Sequence, residues 1–414
     1  MWHLLGRAPA RRYFIAWTQS AVGTGAGYVA LLLLAYQTFR SPWAVAAILL
    51  AEHLPCMLLG PLAGAIVDRV PRRSAAIAAD LLGAAAFLGL AFAAAFPVVL
   101  ALALLAGVGV AVAQPAAMAG LPEVVEPEDL PAATSLHTGI EEAGVVVGPL
   151  VAALVLAGAD PSALMLANGV SFALSAVLLL TVRFTPRAAA AGAGPAAGLA
   201  IEGDAASLAG SAGAGLRALR GMPGVRTLVL TSTLAVFAYG MLNVAELLFA
   251  RNELGVGDSG FSLLVGAMSV GMTVGALAGA RSSDGRVWRR EYLLGLALMG
   301  VAMLAVAGAE SVALALPLLL LCGYGNGITI VHERLLLQHT VVPALHGRVF
   351  GIRRMLVSWS FCGSYLLGGA VASSAGPRIL LVLAGSGMLA AFGWGVLSLR
   401  GSWVQRRALA GSAA

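Results

Sequence analysis

Five stretches of this 414-residue chain set ionisable side chains inside otherwise apolar sequence: Glu52-His53, Asp80, Glu141-Glu142, Glu246 and His332-Glu333-Arg334. A charge within hydrocarbon is costly, so such groups are by default candidates for proton or solute pathways. Carboxyl and imidazole groups among them can take up and release protons. Depth ranks them. Glu52 and Glu246 lie well inside their apolar runs, whereas Asp80, Glu141, Glu142, Glu333 and Arg334 stand closer to run ends. Three also have a plain structural reading: Glu333–Arg334 as an ion pair, Glu141 and Glu142 as packing near a loop, Asp80 as a bond to a neighbouring helix. Chemistry of other kinds lacks its residues. No phosphate loop, no HExxH and no Cys/His pairs at metal spacing occur. No enzyme, metal or cofactor is therefore expected. Cys56, Cys322 and Cys362 sit singly in apolar runs, where buried packing accounts for them.

The elements that must position these groups follow from composition. Hydrophobic residues make up 60% of the chain and charged ones 11%, against roughly 25% charged in soluble domains. This excludes a soluble enzyme, a nucleic-acid-binding domain and a disordered chain, and implies a bilayer as solvent. A membrane span needs about 20 apolar residues. Twelve runs meet that need: 13–36, 43–67, 74–95, 97–121, 134–158 and 161–182, then 226–250, 258–280, 291–309, 311–335, 348–373 and 376–399. The first run is too long for a signal-peptide core and is taken as a span. The expected fold is an all-α membrane protein of twelve transmembrane helices in two six-helix bundles, residues 1–190 and 225–414. Between them, 191–224 is Ala/Gly-rich and reads as a cytoplasmic linker, with a short amphipathic helix around 215–220.

Orientation follows from the basic residues, all of which are Arg and total 25. With both termini in the cytoplasm, only Arg40, Arg251 and Arg378 fall outside, and Arg334 lies at an inner helix end. A bias of that size is the positive-inside signal and also checks the helix count. The net charge of +6 is thus topogenic, and no nucleic-acid partner is expected.

A repeat joins the halves. Gly60-Pro-Leu-Ala-Gly64-Ala-Ile-Val-Asp68-Arg69-Val-Pro-Arg72-Arg73 closes the second run, and Gly275-Ala-Leu-Ala-Gly-Ala-Arg-Ser-Ser-Asp284-Gly-Arg286-Val-Trp-Arg289-Arg290 closes the eighth. One motif six helices apart implies pseudo-symmetric halves, as in parallel-repeat transporters.

Gly64-x-x-x-Asp68-Arg69-x-x-Arg72-Arg73 resembles the signature loop of the major facilitator superfamily. Gln114-Pro115-Ala-Ala-Met-Ala-Gly-Leu-Pro122-Glu123, Leu130-Pro-Ala-Ala-Thr134, Gly148-Pro149 and Gln338-His-Thr-Val-Val-Pro343-Ala-Leu-His-Gly347-Arg348-Val349 are similar to the branch of enterobactin exporters and macrolide efflux proteins. The resemblance spans the chain and implies the major facilitator fold. It also implies that Gly64, Asp68, Arg69, Arg72 and Arg73 form a conformational latch that holds while the inner gate is shut. The bland reading leaves the three Arg as topogenic charges beside anionic lipid. Pro71 replaces the glycine more usual in this loop. Gly144, Gly148 and Pro149 resemble part of the antiporter motif, a helix able to bend between states, although Ala152 and Ala153 replace its final glycines.

In the superfamily the first, fourth, seventh and tenth helices line the central cavity. That makes Glu246 the first proton-coupling candidate, with Glu52, Glu141 and Glu142 behind it. It also nominates Gln19, Tyr28, Gln114, Tyr239, Asn243, Tyr324 and Asn326 for the cavity wall, where amides and phenols suit a partly apolar solute. The fourth run carries no Arg, so coupling must use another arrangement than an Arg there. The expected function is secondary active transport in the cell (inner) membrane: proton-driven efflux of an amphipathic small molecule, a drug, antibiotic or siderophore-like compound, by alternating access. Its partners are that solute, protons and the bilayer, with the protein a monomer. An importer or uniporter, and a non-transporting sensor or scaffold, are the alternatives.

Overall fold

The computed structural model describes residues 2–185, 222–280, 285–341 and 346–402, with backbone alone at 2–3, 60–66, 68, 286, 346–348 and 400–402. All regular structure among these residues is helical. A short α1 (Trp2–Gly6) precedes α2 (Ala8–Phe39), α3 (Pro42–Arg69), α4 (Arg72–Leu90), α5 (Phe96–Val124), α6 (Leu130–Val155) and α7 (Pro161–Thr181). After the linker come α8 (Pro223–Asn252), α9 (Asp258–Gly279), α10 (Gly285–Ala307), α11 (Val312–Thr340) and α12 (His346–Ser402). The linker itself, with the amphipathic helix expected near 215–220, lies outside the described residues.

Proline sets half of the helix starts. It stands in the first turn of α2, α3, α5, α6, α7 and α8, where its fixed φ suits the helix and its missing N–H is not needed. Eleven helices are long and apolar enough to cross a bilayer. The last of them, α12, has 57 residues and is broken at Gly376, whose φ of 83° and ψ of 169° are not helical. Pro377 follows, so the chain turns there into a second limb. The two limbs match the runs 348–373 and 376–399, and the helices make twelve crossings, as the sequence implies.

The chain divides into two compact units, 1–201 with 256–266, and 202–255 with 267–414. In the first, α2 packs against α6 and α7, α5 against α3 and α4, and α4 also against α7. Gln37 at the end of α2 donates to both Asp258 carboxylate oxygens at 3.0 and 2.8 Å within this unit. In the second, α12 packs against α8 and α10, and α10 against α11. With little hydrophobic force between helices in lipid, close packing of small residues must hold such contacts. The α2/α6 crossing does this. A Cβ on Gly144 would lie 2.6 Å from the Ala21 carbonyl oxygen, and one on Gly148 would lie 2.5 Å from the Gly25 Cα.

Arg side chains fasten the Arg-rich helix ends. Arg73 donates to the Leu179 carbonyl at 3.1 Å and also to that of Leu180, and Arg12 donates to Thr181 at 3.2 Å. These are the otherwise unsatisfied carbonyls that close α7. Arg289 does the same for the second limb of α12, donating to Leu399 at 3.2 Å. The repeated loop motif therefore supplies a cap to the last helix of each unit.

Candidate functional site

Glu246 sits in α8 with 8% of its surface exposed, and one carboxylate oxygen has no hydrogen-bond partner among the described residues. Tyr239 and Cys322 lie close enough to feel its charge, and Tyr239 likewise feels Tyr365. Asn243, one helical turn before Glu246, donates to the Tyr365 hydroxyl at 3.5 Å. Three residues nominated from sequence, Tyr239, Asn243 and Glu246, thus form one polar cluster. Tyr365 of α12 and Cys322 of α11 join it and were missed, because nothing in their local sequence marks them. Glu246 is surrounded by neutral groups and faces no cation in any described ion pair.

The candidates in the first unit form other groupings. Gln114 donates to Glu141 Oε1 at 2.7 Å, joining α5 to α6, while Glu142 is exposed. His137 lies beside Glu141 and stacks on Trp17; neither was nominated. The readable signal was the four-residue spacing of His137 and Glu141, which puts both on one helix face. Glu52 is half-buried in α3 with one oxygen unpartnered, and α5 runs tightly over its backbone at Gly107. Asp80, buried in α4, accepts from Ser175 of α7, in keeping with its plain structural reading.

Other nominated side chains face neighbouring helices. Gln19 donates to the carbonyls of Ala16 and Ser171 at 3.0 and 2.8 Å, tying α2 to α7. Asn326 turns toward Met272 Sδ at 3.6 Å. Tyr28 and Tyr324 are half-buried. Of the latch residues, Gly64 and the Asp68 side chain lie outside the described side chains. Arg69 is exposed, Arg73 is the cap of α7, and Arg72 pairs with Glu123 of α5 at 2.5 Å.

The pair read as Glu333–Arg334 is corrected. Glu333 accepts from Nε and Nη2 of Arg353, both at 2.5 Å, in a bidentate bridge from α11 to α12, while Arg334 is exposed. Adjacent side chains on a helix point about 100° apart, so Glu333 finds its partner on another helix instead. Its neighbour His332 contacts Glu291 of α10 with Nε2 2.9 Å from Oε2. That nitrogen makes no directed hydrogen bond, and the contact is an ion pair only when the ring is protonated.

Helical spans that carry buried carboxylates are the framework of a membrane transporter. The chain belongs to the Major Facilitator Superfamily, whose model matches residues 13–364. It is 29% identical over 388 residues to the multidrug efflux pump Tap of Mycolicibacterium fortuitum, covering 89% of this chain and 90% of that one. It is 23% identical to the uncharacterized MFS-type transporter YfiS of Bacillus subtilis, covering 89% and 88%. Among solved structures, the nucleoside transporter NupG matches with a TM-score of 0.73 at 12% identity, covering 96% of this chain and 99% of that one. A bacterial homolog of the human lysosomal transporter Spinster matches with 0.73 at 14% identity, covering 94% and 96%. These likenesses establish the fold.

Proposed function

We propose that this transporter exports an amphipathic small molecule across the cell (inner) membrane, driven by protons moving inward, with both termini in the cytoplasm. The observation that carries the coupling is Glu246: a carboxyl buried in α8, with one oxygen unpartnered and in no ion pair among the described residues. Such a group can hold a proton in one state and release it in another. Export is supported by the resemblance to an efflux pump over most of both chains and by the Gly144/Gly148–Pro149 helix, whose close crossing with α2 suits a hinge. It works as a monomer of two bundles, 1–190 and 225–414, by alternating access, with Asp68 and Gly64 as the inner latch and Arg69, Arg72 and Arg73 beside it.

The energetics permit the scheme. One proton entering yields about 2.3 kcal/mol per 100 mV, equal to a concentration ratio somewhat under a hundredfold. In proteoliposomes, Glu246→Gln is expected to exchange substrate downhill yet lose uphill efflux. Uphill efflux in that variant that still collapses with a protonophore would move the coupling group to Glu52 or to Glu141 and Glu142. Asp68→Asn is expected to insert and fold normally while transport falls; full transport at normal expression would remove the latch.

A further inference from the structure

His137 in α6 is 1% exposed, and neither of its nitrogens has a hydrogen bond among the described residues. Its ring stacks on Trp17 with centroids 4.4 Å apart at 27°, and beyond that on Tyr13 at 6.3 Å and 30°. The Trp17 Nε1 is buried and unbonded too. His137 Nε2 stands 3.7 Å from Glu141 Oε1, the oxygen that accepts from Gln114. Leaving polar atoms buried and unbonded is unfavourable, so the ring gains from any partner that moves to it, and the Glu141 carboxyl is the nearest.

We propose that His137 is a proton-binding group, and that in its imidazolium form it draws Glu141 away from Gln114. The neutral ring takes one proton from solvent, Glu141 remains a carboxylate, and the pair's charge goes from −1 to zero. Two neighbours stabilise the cation: the carboxylate at Nε2, and the indole face under the ring.

Most other charged or titratable groups around His137 are committed or exposed; Asp80 keeps one buried oxygen without a partner among the described residues. On α2, the Tyr13 hydroxyl donates to Ala117 at 3.1 Å and Arg12 caps α7. On α5, Glu123 holds Arg72. On α4, Asp80 accepts from Ser175, and on α6 Glu142 faces outward. No described Arg pairs with Glu141, which leaves His137 as the cation able to claim it. Gln114 is exposed, so losing Glu141 frees its amide for a solute. Proton uptake and solute contact then meet at one carboxylate. This coupling role rests on the proposed proton-driven export; the protonation itself does not.

The test is tryptophan emission of the purified full-length protein, titrated from neutral pH well into the acid range. An imidazolium stacked on indole quenches it, and subtracting the Trp17→Phe protein isolates Trp17 among the seven tryptophans. The Trp17 component is expected to fall on acidification and to stay constant in His137→Gln. A component that ignores pH in the wild type, or falls equally in His137→Gln, overturns the proposal. Glu141→Gln provides a second arm: the quench should then need about tenfold more protons. An unchanged midpoint removes Glu141 as the partner. Quenching without any uphill transport would sink the proposed function and leave this site standing. In a coupled protein, His137→Gln is expected to move the pH profile of uphill efflux.

Discussion

Each unit buries a histidine beside a glutamate, and the two are held differently. His332, 0% exposed, contacts the Ile328 carbonyl through Nδ1 at 2.8 Å and Glu291 through Nε2 at 2.9 Å. A carbonyl oxygen can only accept, so Nδ1 carries a hydrogen and the ring orientation is fixed. His137 has no such bond, and its carboxylate stands 3.7 Å away, engaged by Gln114. One imidazole is anchored to its own helix and set against a carboxylate of α10; the other is a side chain with a place to go. Burial and residue type therefore do not separate structural from switching histidines in this fold. The count of bonds already made does.

The largest expected effect lies next to the anchored imidazole. Glu333 is 3% exposed, and both its oxygens are held by Arg353. Removing one partner leaves the other charge buried and alone, which costs about 3–5 kcal/mol. Arg353→Met should lose that much in unfolding measured in detergent. The double variant Glu333→Gln with Arg353→Met should recover a good part of it. A single variant as stable as wild type would show the bridge to be solvated and weak.

The next effect belongs to the first unit's helix crossing. Gly148→Ala puts a methyl 2.5 Å from the Gly25 Cα, where backbone and not a flexible side chain must yield. Overpacking of this kind costs about 1–3 kcal/mol. Gly139, on the same helix, has nothing within 4 Å of where a methyl would stand, so Gly139→Ala should be neutral or slightly stabilising. If the two variants unfold alike, the crossing is looser than its geometry indicates, and a hinge there loses its footing.

What could be read beforehand follows the range of the interaction. Apolar runs, Arg bias and the repeated loop are local or additive along the chain, so the twelve crossings were legible, including the break that Gly376-Pro377 makes in α12. The carboxylate at 246 was legible because a charge amid Leu, Ala and Phe is conspicuous in sequence. Its companions were not. Tyr365 and Cys322 come from helices far along the chain, and an aromatic or a thiol in an apolar run carries no mark of what it faces. The Glu333 error has the same origin: adjacency suggested Arg334, whereas the partner is twenty residues on. Arg73 and Arg289 were visible as charges, but their use as caps depends on where α7 and α12 end. Gln19 and Asn326 show the converse, polar side chains that looked like cavity wall and bond neighbouring helices.

The smallest expected effect is the one that tests the comparison of histidines directly. Phenylalanine keeps a flat ring and removes both nitrogens. At 332 that substitution deletes the bond to the Ile328 carbonyl, a loss of about 0.5–1.5 kcal/mol. At 137 nothing bonded is lost, the stacking on Trp17 and Tyr13 is preserved, and two unbonded polar atoms leave the interior. His137→Phe should therefore unfold within about 0.5 kcal/mol of wild type, or somewhat later, as surface-like changes do. Measured side by side in the same detergent at a pH where imidazoles are neutral, the His332→Phe protein should be the less stable of the two by about 1 kcal/mol. Equal losses would mean that His137 makes bonds comparable to those of His332, and the free imidazole on which the first unit's switch depends would not exist.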